Sequence, residues 1–349
     1  MQTVNLVDTK SWDEVVERTK KFAQENPRGL VIGQRLGSKR LAGKEFPSNE
    51  KLNELFPDRP VMLTRIDGHA AIANQKALEI AGVKAGDKLP GGDIEVRNGR
   101  LTGILIDNAK GLVGSKIPSQ TQDEFMEALE EAQANCFAIG LTTIDDCGLS
   151  AETVEGIKAM QASGKLKMRL YVMLSDSKAN FDYLEKTGII KTDRLNVRSI
   201  KVYADGALGS RGACLLQPYS DKPGWSGFLL SSPAHFDSVA NFIYPKGWQM
   251  CTHAIGDSGN RTMLKIYAKY LKGKNDLRWR IEHSQVVNQN DFDLFGAQIL
   301  SSPRCNLPMP HPTCIGPVTA WEPIGSKALM PTSNYYNKTG GYPWVQISR

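Results

Sequence analysis

The feature that most constrains the fold of this chain is a regular alternation of strand and helix patterns over residues 121–300. Capped amphipathic helices alternate there with short apolar runs, which is typical of successive βα units. Such units build a parallel sheet with helices on its outside. About six units fit between residues 141 and 300, fewer than the eight of a closed barrel.

The pattern predicts the individual elements of this region. Predicted strands lie at 141–145, 168–173, 197–204, 249–252 and 278–282, with another beginning near 298. A helix is predicted to begin at Thr121, where Glu124 completes a capping-box spacing. Further helices are predicted at 151–163, 177–186, 258–271 and 289–295.

Residues 1–120 follow a less regular pattern. Ser11 and Glu14 have the spacing of a capping box, which predicts a helix beginning there, and the GLVIG run at 29–33 predicts a buried strand. Residues 34–120 are rich in glycine, proline, aspartate and lysine and predict a small α+β subdomain. Its clearest element is a helix near residues 74–81, which Gly82 is expected to end.

Composition excludes several classes of protein. The chain has 349 residues, of which 41% are hydrophobic and 23% charged, as in a globular protein rather than a disordered one. No apolar run is long enough for a membrane span, and the first residues show no secretory leader pattern. The net charge is +6, but outside the last 49 residues basic and acidic residues alternate, so no nucleic-acid partner is predicted. The six cysteines form no CxxC pair, which favours a reducing compartment and hence the cytoplasm.

Three residues at predicted strand ends carry the candidate chemistry. Lys201 lies inside a buried strand pattern, where an ammonium is costly without a partner, and His253 and His283 end two later strands. Histidines on successive strand ends can bind one zinc ion, although a lone one is more often a hydrogen-bonded core residue. Lys201 could equally form a buried salt bridge with Asp205 or Glu282, or serve as a Schiff-base amine. His235 and His311 are predicted to be exposed and without a role.

Four segments in a fixed order carry a family resemblance: PDRPVMLTRIDGHAAIANQKAL at 57–78, SIKVYADGALGSRGACLLQPYSD at 199–221, THAIGDSGNRTML at 252–264 and RIEHSQ at 280–285. Together they resemble the YtcJ-like group of the amidohydrolase superfamily, which includes the N-substituted formamide deformylases. The resemblance covers about residues 1–300.

The resemblance implies a metal-dependent hydrolase on a TIM-type (β/α)8 barrel of the α/β class. A divalent ion, zinc, would polarise the substrate carbonyl and activate a water molecule. Lys201, His253 and His283 would be the catalytic metal ligands, with Lys201 carboxylated because an ammonium cannot bind a metal. His69, Asp205 and Arg211 match motif residues near the substrate, with a loop-ordering hydrogen bond as an equal alternative.

The chain departs from the family pattern in two ways. The family's first strand carries a His-x-His pair that this sequence does not contain, and its last strand carries an aspartate, whereas no aspartate follows Asp293 here. We therefore expect an incomplete barrel that lacks its first and last strands. The predicted domains are the start of the barrel at 1–33, an inserted α+β subdomain at 34–120, βα units at 121–300 and an aberrant tail at 301–349.

The tail differs from the rest of the chain in composition. It holds eight of the 18 prolines and one acidic residue, Glu322, against four basic ones. Codons that could encode 302–310, 313–319 and 344–349 yield family-like segments when read in a shifted frame. The alternatives are a change of reading frame after about residue 300, which we favour, and an unusual proline-rich tail. The sequence of the gene decides between them.

The sequence thus predicts a hydrolase that cleaves a C–N bond of a small-molecule amide or N-substituted formamide. Activity of the chain as written is expected to be low or absent, because three of the implied ligands are lacking. The alternatives are a non-catalytic scaffold or binding protein and a Schiff-base lyase that uses Lys201. Open sheet edges would favour poor solubility or a homodimer.

Overall fold

The computed structural model describes residues 3–27, 29–37, 46–118, 121–272 and 275–296. These residues form two compact units. The first contains the described residues up to 118 together with 205–231, and the second contains 121–204 and 232–296.

The first unit is built on a mixed six-stranded sheet of order β1-β2-β3-β4-β6-β5. Strands β1 to β3 are parallel, and the remaining pairs are antiparallel. Its elements are β1 (Val4–Asn5), α1 (Trp12–Glu25), β2 (Val31–Leu36), α2 (Glu50–Leu55), β3 (Val61–Arg65), β4 (Ala70–Ala73), α3 (Gln75–Ala81), β5 (Gly92–Arg97), β6 (Arg100–Asp107) and α4 (Lys110–Gly114).

Apolar side chains cover both faces of this sheet, because successive residues of a strand point to opposite sides. Val61 and Leu63 of β3 pack in a core cluster with Val15 and Val16 of α1. The intervening Met62 belongs to a second cluster that includes residues of α3 and α4. The predicted division at residue 33 stays a prediction, and β2 pairs with β3 across it.

The second unit contains a parallel five-stranded sheet of order β12-β11-β10-β8-β7. The short strand β9 adds an antiparallel pair to β10. Its elements are α5 (Gln122–Ala138), β7 (Thr143–Leu149), α6 (Ala151–Ala162), β8 (Arg169–Ser175), α7 (Lys178–Thr187), β9 (Ile190–Lys191), β10 (Leu195–Tyr203), α8 (Pro233–Ile243), β11 (Gln249–Ala254), α9 (Asp257–Tyr270), β12 (Arg280–His283) and α10 (Phe292–Gly296).

The two faces of the parallel sheet differ in polarity. One face carries buried apolar residues, among them Val172, Ile200 and Ile281, and helices α8 and α9 contact β11. The other face carries most of the polar side chains of the sheet: Asp145, Tyr171, Ser199, Lys201, Gln249, His253, Arg280 and Glu282.

Contacts on the polar face show that the sheet is curled. Asp145 and Arg280 lie on the two edge strands, four inter-strand spacings apart, or roughly 19 Å in a flat sheet. Yet Arg280 Nη2 lies 3.6 Å from Asp145 Oδ2. The hydroxyl of Tyr171 on β8 also donates to Gln249 on β11, across the intervening strand β10. The polar face is therefore the concave one.

Most local predictions are confirmed. Thr121 and Glu124 form a complete capping box at the start of α5, and Gly82 ends α3 with a left-handed φ of 72°. The box predicted at α1 is half formed: Ser11 caps Glu14 N–H, but the Glu14 carboxylate accepts from Lys10 N–H at 2.8 Å. The predicted helix at 289–295 is a 3-10 turn at Gln289–Asp291 followed by α10.

Two elements of the second unit escaped sequence analysis. Helix α8 begins after the N-cap Ser232 with a proline in its first turn, a start signal that the sequence contained. Strand β9 is too short for a periodic pattern. The strand predicted near 298, the tail and its proposed change of frame lie outside the described residues. Among the described helices, none has the length and apolar character needed to cross a membrane.

One buried side chain joins three segments of the first unit. Asn74 is fully buried, caps α3 by accepting from Ala77 N–H at 3.1 Å, and also accepts from Val61 N–H at 2.9 Å. Its amide nitrogen donates to the carbonyls of Phe56 and Arg59, each at 2.9 Å. The side chain thus connects α3, β3 and the loop before β3.

We expect Asn74→Asp to destabilise the first unit by about 2–4 kcal/mol. Aspartate caps helices as well as asparagine does, so the loss isolates the two donors and the carbonyls left facing a carboxylate. Ser11→Ala, which removes only the cap of α1, is the matched control and should cost about 1 kcal/mol. Urea unfolding of both variants measures the difference, and equal losses would refute the assigned role.

Candidate functional site

Lys201 and His253 lie side by side on the concave face of the parallel sheet. In the ladder between β10 and β11, Lys201 pairs with Cys251 and Tyr203 with His253. Alternation along each strand then places Lys201 and His253 on the same face, one rung apart. Both are buried, with exposed fractions of 3% and 2%.

His283 reaches the same place through an unusual backbone conformation. Its register partner is Ala254, whose side chain points away from the concave face. However, His283 has a φ of +76°, and Ser284 follows with +41°. This turn brings the imidazoles of His283 and His253 to a centroid separation of 4.7 Å, with their planes at 73°. Left-handed conformations of non-glycine residues cost about 1–3 kcal/mol each and cluster at functional sites.

Lys201 occupies an environment that disfavours its charge. Burial lowers the pKa of Lys201, and the negative charge of Glu282 acts in the opposite direction without cancelling the effect. Its Nζ lies 4.5 Å from the centre of the Tyr203 ring. A lysine with a lowered pKa exposes more of its neutral amine, which is the form that reacts with CO2 or with a carbonyl.

Arg280 balances the acidic groups of the concave face. Its Nε lies 2.5 Å from Glu282 Oε1, both side chains are buried, and its Nη2 approaches Asp145. Burial would lower the pKa of Arg280, but the nearby Cys251 and Glu282 raise it above its ordinary value. Glu282 is therefore paired with Arg280 while it also acts on Lys201. Glu282, which the sequence suggested as a salt-bridge partner of Lys201, is paired with Arg280 instead.

The separation of the two histidine rings can be compared with that of two imidazoles on one zinc ion. Zinc–nitrogen bonds of about 2.0–2.1 Å place two ligating imidazole centroids about 5 Å apart, close to the observed separation. In the part of the chain that the structure describes, no group of three His, Cys, Asp or Glu side chains is placed to hold a metal. The predicted metal ligands are thus two histidines and Lys201, whose ammonium form has no lone pair for a metal.

The other three predicted residues lie in the first unit. His69 follows a turn after β3, and its Nδ1 lies 2.6 Å from Asp107 Oδ1. Asp205 is fully buried and accepts from Cys214 N–H at 2.9 Å. Arg211 has a φ of 58° and pairs with Asp221 at 3.0 Å. Asp205 and Arg211 thus make loop-ordering contacts, and the assignment of all three to substrate stays a prediction.

Sequence analysis missed three side chains that the structure places in polar pairs. Asp107, the last residue of β6, holds His69, and Arg280 holds Glu282. Asp176, just after β8, lies 2.6 Å from Nε2 of His235, which is partly exposed. The alternation of Arg280 and Glu282 on one strand was a usable signal, whereas the partners of the two histidines are distant in sequence.

Comparison with known proteins shows which protein family the chain belongs to. The Amidohydrolase family model matches residues 1–312. The YtcJ protein of Bacillus subtilis (strain 168) is 30% identical over 294 residues, covering 82% of this chain and 55% of that protein. The N-substituted formamide deformylase of Arthrobacter pascens is 25% identical over 292 residues, covering 79% of this chain and 53% of that enzyme. The chain therefore spans about half the length of these curated relatives.

Solved structures agree with this relationship. An uncharacterized metal-dependent hydrolase from Pyrococcus furiosus superimposes with a TM-score of 0.57 at 26% identity, covering 84% of this chain and 58% of that one. A second, from Pyrococcus horikoshii OT3, has a TM-score of 0.60 at 22% identity, with coverages of 87% and 58%, and supports the fold. The resemblance read from the four sequence segments is confirmed, and the chain belongs to the amidohydrolase family.

Proposed function

We propose that this chain hydrolyses a C–N bond of a small-molecule amide or N-substituted formamide, with a divalent metal, zinc, held by Lys201, His253 and His283. The observation that carries the proposal is the close approach of His253 and His283 beside a buried lysine. The left-handed backbone at His283 makes that approach possible. The name of the deformylase relative supplies the substrate class.

Lys201 enters the site as a carbamate in this proposal. The neutral amine adds to CO2 and releases a proton, which gives an N-carboxylate whose oxygens can bind a metal. The lowered pKa of Lys201 favours that reaction. Burial then protects the carbamate from water. An ammonium in the same place would repel the cation.

The bound metal would polarise the substrate carbonyl and lower the pKa of a water molecule. Other residues of the concave face contact or enclose the proposed ligands and their neighbours. Arg280 keeps Glu282 paired, and the ring of Tyr203 lies between the lysine and open solvent, since its own side chain is exposed. His253 is buried, which limits the positions its imidazole can take. Burial and the contact with Tyr203 thus limit the positions that Lys201 and His253 can take.

His69, Asp205 and Arg211 are proposed as the substrate side of the site. The support is that they lie in the two segments, 57–78 and 199–221, that carry the resemblance. Asp205 and Arg211 are proposed to act by ordering the loop, which their contacts with Cys214 and Asp221 support. Of the three, His69 is proposed to contact substrate with its own side chain. The finer assignment of the fold to a TIM-type barrel is likewise a proposal, supported by the curl of the parallel sheet.

A second candidate uses the same lysine differently. The lowered pKa of Lys201 also suits a Schiff base with a carbonyl substrate. Borohydride would then trap the substrate on Lys201, and bicarbonate would have no effect on activity. Under the hydrolase proposal, depletion of CO2 lowers activity, added bicarbonate restores it, and borohydride traps nothing.

Metal binding tests the ligand set directly. We expect zinc binding to the purified chain, followed by competition with a chromophoric chelator, to weaken by at least about 10-fold in His253→Asn and in His283→Asn. The matched control is His235→Asn, since His235 lies in the same unit but pairs with Asp176. Equal affinity in all three variants would remove both histidines from the site.

Activity tests the reaction. Amine release from a panel of N-substituted formamides and simple amides should depend on metal, disappear after chelation and return with zinc. Lys201→Ala should lose the activity and regain part of it with added acetate, whose carboxylate replaces the carbamate. Wild-type amine release that is unaffected by chelation would exclude the metal-dependent reaction.

A further inference from the structure

The loop that follows β10 carries three glycines at intervals of three residues, and each of them packs against a charged side chain of the first unit. A Cβ at Gly206 or at Gly212 would clash with the carboxylate of Asp107. A Cβ at Gly209 would clash with the guanidinium of Arg65. The glycines therefore let the backbone of the loop close over two charged groups.

The enclosed carboxylate has an unusual set of contacts. The side chain of Asp107 is 2% exposed, and its Oδ1 lies 2.6 Å from His69 Nδ1. A second bond joins the same residues, because Asp107 N–H donates to the carbonyl of His69 at 2.9 Å. Its Oδ2 is buried and has no hydrogen-bond partner among the residues that the structure describes. One oxygen thus serves His69, and the other lies against the glycine loop.

The turn that carries His69 is held from several sides. The backbone N–H of His69 donates to Asp67 Oδ1 at 3.0 Å. Asp67 in turn pairs with the buried Arg65, and Lys110 donates to the carbonyl of Gly68. The position of the imidazole is therefore fixed by its own backbone and by Asp107 together.

The chemistry of the pair determines which ring nitrogen carries the shared hydrogen. An ionised carboxylate only accepts hydrogen bonds, so the hydrogen in this contact belongs to Nδ1 of His69. In the neutral ring, Nε2 then carries the lone pair and acts as an acceptor.

A purely structural role does not account for a carboxylate at this place. The backbone of Asp107 is left-handed, with a φ of 49°, a conformation that asparagine adopts equally well. Asparagine would close the same loop without the cost of a buried charge that has one oxygen unbonded. At the contact with His69, what only the carboxylate provides is an acceptor without a donor, which holds one tautomer of His69. Burial lowers the pKa of Lys110, and the charge of Asp107 also acts against that effect.

We propose that Asp107 is the positioning residue of His69: it fixes the Nδ1–H tautomer and thereby presents Nε2 as an acceptor for an N–H or O–H group of the substrate. The inference rests on the proposed function, in which His69 contacts substrate. It adds that the substrate carries a hydrogen-bond donor at this point, as the N–H of a secondary amide or an N-substituted formamide does.

The tautomer of His69 is measured by long-range 15N–1H correlation spectra of the full chain labelled at histidine, with the resonances assigned by His69→Gln. We expect Nδ1–H in the wild type. In Asp107→Asn we expect the amide nitrogen of the asparagine to face His69. The amide oxygen then takes the position of Oδ2, where the wild-type carboxylate already has no hydrogen-bond partner among the described residues. The expected result is a switch to Nε2–H, as occurs when the aspartate of a catalytic triad is changed to asparagine.

Kinetics separate positioning from structure. With a secondary formamide, kcat/KM of Asp107→Asn should fall on the order of 10–100-fold. With a tertiary formamide, which has no N–H to donate, wild type and variant should differ by less than about 3-fold, because the contact is absent in both. Gly212→Ala, which displaces Asp107, should act in the same direction as Asp107→Asn on the secondary substrate. Gly209→Ala, in the same loop but against Arg65, should leave the tautomer unchanged.

The outcomes are distinguishable. A wild-type His69 with Nε2–H overturns the inference and needs no variant to fold. A tautomer switch with unchanged kcat/KM on the secondary substrate also overturns it, while the hydrolase function stands. If the wild type hydrolyses no amide but shows Nδ1–H and the switch, the proposed function fails and the fixed tautomer is supported. Equal losses on secondary and tertiary substrates show a structural role and count against the inference.

Discussion

The concave face of the parallel sheet depends on the ion pairs that the guanidinium of Arg280 makes with acidic side chains. It contacts Glu282 on its own strand, approaches Asp145 on the opposite edge, and lies 5.4 Å from the centre of the Tyr171 ring. A curled sheet with a polar interior encloses several ionisable groups at close range. Without a cation near its middle, the acidic side chains there would be left uncompensated at a high cost in free energy. Glu282 is paired with Arg280, and burial outweighs the effect of the Glu282 charge on the pKa of Lys201, which is lowered.

The sequence predicted well those helices and strands whose signals lie within a few residues of the element itself. Helices α3, α5 and α6 begin at capping residues that lie within three or four positions of the bonds they make. The five strands of the parallel sheet were predicted from apolar runs, and the rule that parallel strand ends converge predicted that Lys201, His253 and His283 lie at one edge. These inferences succeed because both the signal and its cause lie within a few residues.

The features that escaped prediction depend on distant parts of the chain. Asp107 and His69 are 38 residues apart, and their pairing follows from the register of β4 with β6 rather than from either local pattern. Strand alternation predicts that the His283 side chain points away from the concave face, but the turn at His283 brings it back. No residue of the segment RIEHSQ predicts a positive φ at that position. The glycine spacing in ADGALGSRGA was visible as a motif, but its reason required the carboxylate and guanidinium that it covers. Register, backbone strain and close packing are set by the whole fold.

The glycine loop has a consequence for how such chains can diverge. A Cβ at Gly206 or Gly212 would clash with the Asp107 carboxylate, so a change at either glycine requires the acid to shift. Alanine at either glycine would displace the Asp107 carboxylate, and a shorter residue at position 107 would remove that contact at both glycines. Substitutions at the three positions are therefore expected to be coupled. Among relatives, the joint presence of the acid and both glycines would mark the proteins in which the imidazole at position 69 is held by a carboxylate. Their joint loss would mark the proteins in which it is not.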